Sequence, residues 1–393
     1  MNLKREFSKQ MGRRKKGTPP ELTLALDFGG SMTKVLASTQ TEEVYSLCME
    51  PEVIQVDGTS IEQYQRTKLG EAAPKDRAWV GVGEDYYAVG YLAGSRFLGN
   101  AGLSELKHER ALYKTLAAVW VLAEQLELGR RLRVAIACLL PPGEYKDQVR
   151  FQQLLEEALA NYQTPGGTMQ VKLEAFNCKP EGGGIYMMYA KNQGEALKEQ
   201  VCAVVMVGYR NGSVLVSRRG EVGQFQTSEF GFIKLVNGVV ERTSGQKAER
   251  LAQAISLAGE EITPRPLLPL ARSTKPEERR NEVETIREAI REARSEYARQ
   301  LTGWLRETLP KDLDEVVLCG GTADYLRTEL KQHFEFSRIS WHADVRLPEV
   351  LDPKGMGSRL VDVYCLFVYF QKLLLPQTQT VLKEAISSTL AEV

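Results

Sequence analysis

Residues 22–36 have the sequence Leu-Thr-Leu-Ala-Leu-Asp-Phe-Gly-Gly-Ser-Met-Thr-Lys-Val-Leu, and this stretch decides how the rest of the chain is interpreted. An apolar strand leads into an acid, a glycine turn and a second strand that carries a lysine. The positions with chemical potential are Asp27, Gly29, Gly30, Ser31, Thr33 and Lys34. Glycine lets backbone N–H groups approach an anion, and an aspartate at a strand end can hold a metal ion through water. The stretch fits a hairpin whose turn holds the phosphates of a nucleotide, although the same pattern also marks ordinary hairpin turns.

Length and composition indicate a large α/β protein. The 393 residues, 43% of them hydrophobic, are enough to bury two substantial cores, and short apolar strands alternate with amphipathic helices. No apolar run reaches the roughly 20 residues that span a bilayer, and the N-terminus has no signal-peptide core. Six cysteines lie far apart without a Cys-x-x-Cys pair, which favours reduced core residues over a zinc site. We therefore expect a cytoplasmic protein.

The N-terminal segment 1–20 is strongly basic. It contains seven lysines and arginines and one acid, a net charge of +6, so the remainder of this neutral chain carries −6. Such a segment is typical of a disordered, solubilising arm. The alternative is contact with DNA, an adaptor protein or an acidic surface of a neighbouring molecule.

A second hairpin resembles the first. Residues 201–208 form an apolar strand, and a turn at 208–212 leads back into 213–217. The chain is therefore expected to be internally duplicated. Two such turns facing one another would hold a nucleotide from opposite sides, which makes Gly208, Tyr209 and Arg210 candidate binding residues.

Other segments supply helices and further loops. Residues 103–126 and 276–305 have the apolar periodicity of helices with one buried face. An acid, Glu181, lies between a proline and three glycines in the loop expected at 179–184. Further along, the strand 314–319 ends at a glycine turn, whose candidate binding residues are Gly320, Gly321 and Thr322.

Together these motifs carry a family resemblance. The order Asp27 to Lys34, Lys179-Pro180-Glu181-Gly182, the hairpin 201–216 and Gly320-Gly321-Thr322-Ala323 resembles the actin-like ATPases, in particular the bacterial plasmid-segregating, filament-forming proteins of the ParM type. The resemblance implies a two-lobed α/β fold made of duplicated RNase H-like domains. It also implies a nucleotide in the cleft between the lobes, with ATP favoured, GTP as the alternative, and Mg²⁺ at the phosphates. Such proteins assemble into filaments, in plasmid or DNA segregation or in a cytoskeletal role.

The resemblance also predicts how the chain is divided. The expected parts are a basic tail at 1–20, a first lobe at 21–185 plus 346–375 with a small β-rich insertion at about 45–102, a second lobe at 186–345 with a helical insertion at about 225–290, and a C-terminal amphipathic segment at 376–393. Within this division, residues 352–370 are expected to return to the first lobe as a helix.

Roles follow for individual residues. Asp27 resembles the metal-associated acid of the first phosphate loop, Lys34 its basic contact, and the turn between them its phosphate-facing backbone. Glu181 resembles the residue that orients the hydrolytic water, a step that needs a proton acceptor near the attacking oxygen. The alternative for Glu181 is a structural cap of its loop.

The second hairpin departs from the family pattern. Met206 stands where family members usually have an aspartate, and residues 201–220 contain no acid but include Arg210, Arg218 and Arg219. Whether the protein is an enzyme therefore stays open. It is expected to be a weak ATPase coupled to assembly. The alternatives are a scaffold that binds nucleotide without hydrolysing it and, ranked lower, a small-molecule kinase of the same superfamily.

Overall fold

The computed structural model describes residues 19–41 and 43–374. Residues 1–18 of the basic tail and the amphipathic segment 376–393 lie outside the described residues. Within the described ranges, no helix combines the length and apolar character needed to cross a membrane. All six cysteines are buried and free, as expected from their spacing.

The strands form two sheets. They are β1 (Leu22–Phe28), β2 (Thr33–Thr39), β3 (Val44–Met49), β4 (Val53–Val56), β5 (Trp79–Val82), β6 (Asp85–Val89), β7 (Arg131–Leu140), β8 (Tyr162–Thr164), β9 (Gly167–Pro180), β10 (Val201–Val207), β11 (Gly212–Arg218), β12 (Glu221–Ser228), β13 (Glu315–Cys319) and β14 (Arg338–Trp341).

The helices cover and connect these sheets. They are α1 (Gly58–Thr67), α2 (Tyr91–Arg96), α3 (Lys107–Gln125), α4 (Gln148–Ala160), α5 (Gly183–Gln193), α6 (Phe232–Arg242), α7 (Ala248–Ala258), α8 (Pro276–Thr308), α9 (Gly321–Tyr325), α10 (Arg327–His333) and α11 (Val361–Leu374). Two of them, α3 and α8, lie where the apolar periodicity predicts helices.

The two sheets share one topology, which confirms the duplication. The first has the order β3-β2-β1-β7-β9 and the second β12-β11-β10-β13-β14. In each, the first three strands are antiparallel and the last two run parallel to the central one. The central strands are mainly apolar because helices cover both of their faces, and all seven residues of β1, including Asp27, are buried. The sheets define a first and a second lobe.

A smaller β-region extends the first sheet. Strand β9 continues through β8 to β5, β6 and β4. Residues 79–89, where the sequence predicts β-rich structure, form the antiparallel hairpin of β5 and β6. The region 225–290, expected to be a helical insertion, holds α6, α7 and the start of α8, but it begins with the last residues of β12.

Helices α5 and α11 lie between the two lobes. Ile185 of α5 and Cys365 of α11 pack with Val204 and Val317 of the second sheet, whereas Phe367 of α11 packs against the first. The helix expected at 352–370 begins as an α-helix only at Val361, and the residues directly before it, Gly357–Leu360, form a short 3-10 helix. Both helices therefore lie between the sheets, next to the place where the candidate site residues meet.

Candidate functional site

The two hairpins present their turns to each other. A Cβ placed on Gly30 would lie 2.9 Å from Leu103 Cδ2, 3.3 Å from Tyr209 Cδ1 and 3.4 Å from Arg210 Cβ. The first turn therefore lies within van der Waals range of the second, and a larger residue at position 30 would separate them. This is the facing arrangement that the sequence predicts.

Asp27 lies at the end of β1 and is only 3% exposed. Its Oδ2 accepts a hydrogen bond from Lys34 Nζ on the neighbouring strand, and its Oδ1 is 3.8 Å from Lys107 Nζ. Burial by itself would raise the pKa of Asp27, but Lys34 and Lys107 outweigh it and lower the pKa below the usual value. Asp27 is therefore an anion between two lysines.

Glu181 directly follows β9, and its side chain contacts Lys107, one of the two lysines beside Asp27. Lys107 Nζ donates a hydrogen bond to Glu181 Oε1, and the two side chains are 11% and 12% exposed, respectively. Burial favours a lower pKa for Lys107, but Glu181 and Asp27 outweigh it and raise the pKa above its usual value. Lys107 is thus a charged ammonium between the two predicted acids. The expected loop begins later than predicted, since Lys179 and Pro180 still belong to β9.

The strand registers show what replaces Asp27 in the second lobe. Asp27 pairs with Lys34 across β1 and β2, and Met206 pairs with Ser213 at the corresponding place across β10 and β11. Side chains of directly opposed antiparallel residues share one face. The ion pair of the first hairpin is therefore a methionine–serine pair in the second. Ser213 Oγ is buried and has no hydrogen-bond partner among the described residues.

Met206 lies beside the Glu181 loop. A Cβ added to Gly182 would be 3.8 Å from Met206 Cβ. Met206 is partly buried among apolar residues of the second sheet. Position 206, where the expected acid is missing, thus lies next to the loop that carries Glu181.

The second turn is anchored to the N-terminus of α6. The carbonyl oxygens of Gly208 and Tyr209 accept hydrogen bonds from the N–H groups of Phe232 and Ile233, at 3.0 and 2.9 Å. Burial raises the pKa of Tyr209 to about 12, so its phenol is neutral. Arg210 Nη1 is 3.9 Å from Glu144 Oε1, which links the second turn to the first lobe.

Glu144 has a second role in the first lobe. Its Oε2 accepts a hydrogen bond from the backbone N–H of His108 at 3.1 Å, next to Lys107 in the first turn of α3. This carboxylate therefore helps to fix the helix start that carries Lys107.

The glycine turn after β13 also reaches the second hairpin. Gly320 has φ +95°, and a Cβ there would lie 2.4 Å from the carbonyl oxygen of Val207, so only glycine fits. Thr322 Oγ1 donates a hydrogen bond to the carbonyl oxygen of Gly208 at 2.8 Å. The side chain of Arg359 lies beside Gly321, where a Cβ would be 3.0 Å from Arg359 Cγ.

Arg359 joins this turn to the first hairpin. Its Nη2 donates a hydrogen bond to Ser31 Oγ at 2.9 Å. In the same hairpin, Thr33 Oγ1 is buried and finds no hydrogen-bond partner within residues 19–41 and 43–374. All the residues predicted from the three glycine turns therefore lie around one place, together with Glu181.

Asp362, in the first turn of α11, holds the Glu181 loop. Its Oδ2 accepts the N–H of Gly182 at 2.7 Å and its Oδ1 the N–H of Ile185 at 3.1 Å. Burial raises its pKa to about 7, with a contribution from the negative charge of Asp27, although the backbone hydrogen bonds act in the opposite direction. Asp362 therefore positions Glu181 without facing the turns itself.

The sequence reasoning missed Lys107, Glu144, Arg359 and Asp362. The signal for Lys107 was available, because Lys107, Arg110 and Lys114 recur at helical spacing on a helix most of whose residues are buried. Lys114 is almost fully buried, and burial lowers its pKa to about 7.

The residues at the site do not fit a divalent metal held by protein ligands. Within residues 19–41 and 43–374, no group of three His, Cys, Asp or Glu side chains is placed to hold a metal ion. Both oxygens of Asp27 face lysines, and Glu181 is paired with Lys107. The thioether of Met206 is a soft ligand, unsuited to Mg²⁺, which prefers oxygen.

Comparisons with known proteins identify the fold. No family model matches the chain, and no curated protein matches its sequence. Among solved structures, the chain is similar to the actin-like protein Alp7A, with a TM-score of 0.62, 15% identity, and coverage of 93% of this chain and 98% of that one. A ParM from a 15-stranded Clostridium botulinum filament gives a TM-score of 0.57, 14% identity, and coverage of 90% and 99%.

A third similar structure contains a nucleotide. It is Ta0583, an archaeal actin homologue in complex with ADP, with a TM-score of 0.53, 14% identity, and coverage of 89% of this chain and 99% of that one. The duplicated sheets and these likenesses together define the class: the chain has the two-lobed actin-like fold. The resemblance seen in its motifs is confirmed at the level of the fold.

Proposed function

We propose that this protein binds a nucleoside triphosphate between its two hairpin turns and assembles into filaments when it does so. ATP is the proposed nucleotide, with GTP as the alternative, and the proposed role is plasmid or DNA segregation or a cytoskeletal function. The observation that carries the proposal is the pair of matching hairpins whose turns meet beside Lys34, Lys107, Arg210 and Arg359.

The charge and backbone of this place suit a phosphate chain. Glycine turns present N–H groups without side-chain obstruction, and the surrounding cations favour an anion. Two similar structures come from filament proteins, and another holds ADP. These likenesses support the proposal and leave its test to solution experiments.

Sedimentation tests the assembly. The full chain is centrifuged without nucleotide and with ATP, GTP or a slowly hydrolysed ATP analogue, and light scattering follows the time course. We expect pelleting only with nucleotide, and with the analogue as well as with ATP. Binding of nucleotide without pelleting would contradict the filament.

A matched pair of variants places the nucleotide. Gly30→Val puts a side chain where Leu103 and Tyr209 already approach, and it should abolish both nucleotide binding and pelleting. Gly129→Val, in a loop where no atom of the described part of the chain lies within 4 Å of the added Cβ, should behave as the wild type. Equal binding by the two variants would contradict the proposed place.

Hydrolysis is proposed to be slow or impaired. Glu181, the candidate for orienting the water, is paired with Lys107, and the second hairpin has Met206 instead of an acid. These two observations also favour the second candidate, a scaffold that binds nucleotide without hydrolysing it. Phosphate release by the wild type that exceeds that of Glu181→Ala supports a weak ATPase, and equal rates support the scaffold.

The cellular location and the partners of the protein are proposed from its cysteines and its basic N-terminal segment. Free, buried cysteines agree with a reducing cytoplasmic location. Contact of the basic segment 1–20 with DNA or an adaptor is proposed from its charge alone. DNA binding that is lost on deletion of residues 1–18, with nucleotide binding retained, is the expected result. Since the site residues do not fit Mg²⁺, no step is assigned to that ion.

A further inference from the structure

We propose that Lys107 supplies the positive charge that a divalent cation would otherwise supply at the nucleotide phosphates, so that the protein binds a nucleoside triphosphate without a divalent metal. The inference rests on the proposed nucleotide site. It concerns what holds the phosphates there.

The first observation is the position of the Lys107 ammonium. It lies between Asp27 Oδ1, at 3.8 Å, and Glu181 Oε1, to which it donates a hydrogen bond. These are the two acids that the sequence assigns to the metal and to the water. A cation of the chain itself therefore stands between them, and it is held there by the first turn of α3.

The second observation is the balance of charge. Asp27 and Glu181 carry two negative charges, and Lys34 and Lys107 carry two positive ones. A bound Mg²⁺ would leave this buried group with an excess of positive charge until a phosphate chain arrives. Such an excess is costly where few water molecules screen it.

The third observation is the loss of the opposing acid. In the second hairpin Met206 and Ser213 replace the pair that Asp27 and Lys34 form in the first. A carboxylate there would add the negative charge that a divalent cation needs. Glu144, which lies 3.9 Å from Arg210 of this turn, also accepts the N–H of His108.

Two more basic residues follow Lys107 on its own helix. Arg110 and Lys114 follow at helical spacing, and Glu105 pairs with Arg110 through two hydrogen bonds of 2.6 Å. Lys107 is thus the first of three basic residues on a helix that is otherwise largely packed in the core. Its charge is balanced by Asp27 and Glu181 and not by its neighbours on the helix. A bound triphosphate would therefore contact the Lys107 ammonium at the place where a metal-dependent site has a hydrated metal ion.

Nucleotide affinity with and without metal tests the inference. Binding of ATP to the full chain is measured by calorimetry in buffer with excess Mg²⁺ and again with excess EDTA. We expect the two dissociation constants of the wild type to agree within about threefold. Lys107→Met, which removes the charge at similar volume, should bind at least about tenfold more weakly in EDTA than in Mg²⁺, because close charges in a partly buried site interact strongly.

Two further variants keep the result interpretable. Lys107→Arg retains the charge and should keep the metal-independent binding, which also serves if Lys107→Met fails to fold. Lys114→Met, two turns along the same helix, removes a buried lysine that neither acid contacts in the ion pairs of the site, and it should keep the wild-type ratio. Thermal melts confirm that each variant is folded.

The outcomes separate this inference from the proposed function. Wild-type affinity that falls at least about thirtyfold in EDTA overturns the role of Lys107 and leaves the nucleotide site standing. Metal-independent binding by Lys107→Met as well as by the wild type overturns the assignment to this residue. Absence of ATP binding in both buffers overturns both proposals.

Discussion

The buried carboxyl of Asp362 makes the stability of the protein depend on pH. Its pKa is raised from 3.8 to about 7 by burial and by the charge of Asp27. The folded protein therefore binds this proton more tightly than the unfolded chain does. Stability from the protonated form is fully present below about pH 4 and is lost as the pH rises through 7.

The magnitude follows from the size of the shift. Each unit of pKa difference corresponds to about 1.4 kcal/mol, so the full shift of Asp362 is worth about 4 kcal/mol. Asp362→Asn does not titrate, and its amide oxygen can still accept one of the two N–H groups of Gly182 and Ile185. Losing the other hydrogen bond costs about 1–2 kcal/mol at every pH.

Urea unfolding at pH 5, 6, 7 and 8 measures the effect. The free energy of unfolding of Asp362→Asn relative to the wild type should rise by about 1.4 kcal/mol per pH unit between pH 5 and 7 and level off near pH 8. The variant should thus be about as stable as the wild type at pH 5 and about 2–3 kcal/mol more stable at pH 8.

Glu105→Gln is the matched control. Its hydrogen bond from Arg110 lowers the pKa of Glu105, so this group is ionised in both the folded and unfolded states across the same range. The effect of Glu105→Gln should therefore not vary between pH 5 and 8. A difference for Asp362→Asn that is equally constant, within about 0.5 kcal/mol, would refute the reasoning about burial.

Three further substitutions test the site. Met206→Asp should bind ATP at least about fivefold more tightly in Mg²⁺ than in EDTA. The control Met206→Leu should keep the wild-type ratio of the two affinities. Equal ratios for the two variants would show that position 206 does not face the phosphates. Gly320→Ala should lower the free energy of unfolding by about 2–4 kcal/mol because of its left-handed φ and its contact with the carbonyl of Val207. A urea midpoint as high as that of Gly129→Ala would contradict the claim that a side chain at position 320 is strained. Glu144→Ala should lower the free energy of unfolding by about 1–3 kcal/mol, because it leaves the N–H of His108 without a partner. It should also speed the dissociation of bound ATP in stopped-flow measurements. An unchanged dissociation rate would show that Glu144 does not contribute to the site.

The fold could be predicted from the sequence because its signals are local. The first hairpin has its strands, turn and ion pair within the 18 residues from Leu22 to Thr39, and the hairpin at 201–218 repeats the strands and the turn. Once the duplication is recognised, the two sheets with the same strand order follow from it. The helix at 352–370 was predicted too long because its first residues, although family-like in position, include Gly355 and Gly357 at positive φ.

The site could be predicted only in part. Asp27 and Lys34 are paired by the hairpin that contains them. Arg359 and Asp362 reach the same place from a separate turn and helix, and their sequence neighbours carry no motif that points there. Lys107 reaches it from α3, where only the helical spacing of its basic residues gave a signal. Only packing of the chain brings such residues together, and a search for binding motifs passes over a lysine at the start of an apolar helix.

The central claim is that a nucleotide lies between the two hairpin turns, held by charges of the chain. A structure of the full chain determined at high resolution with ATP and EDTA tests it most directly. We predict the phosphates between residues 29–31 and 208–210, with Lys107 Nζ within hydrogen-bonding distance of a phosphate oxygen. Nucleotide bound elsewhere, or phosphates bound between the turns with Lys107 still paired only to Glu181 and Asp27, would contradict the account.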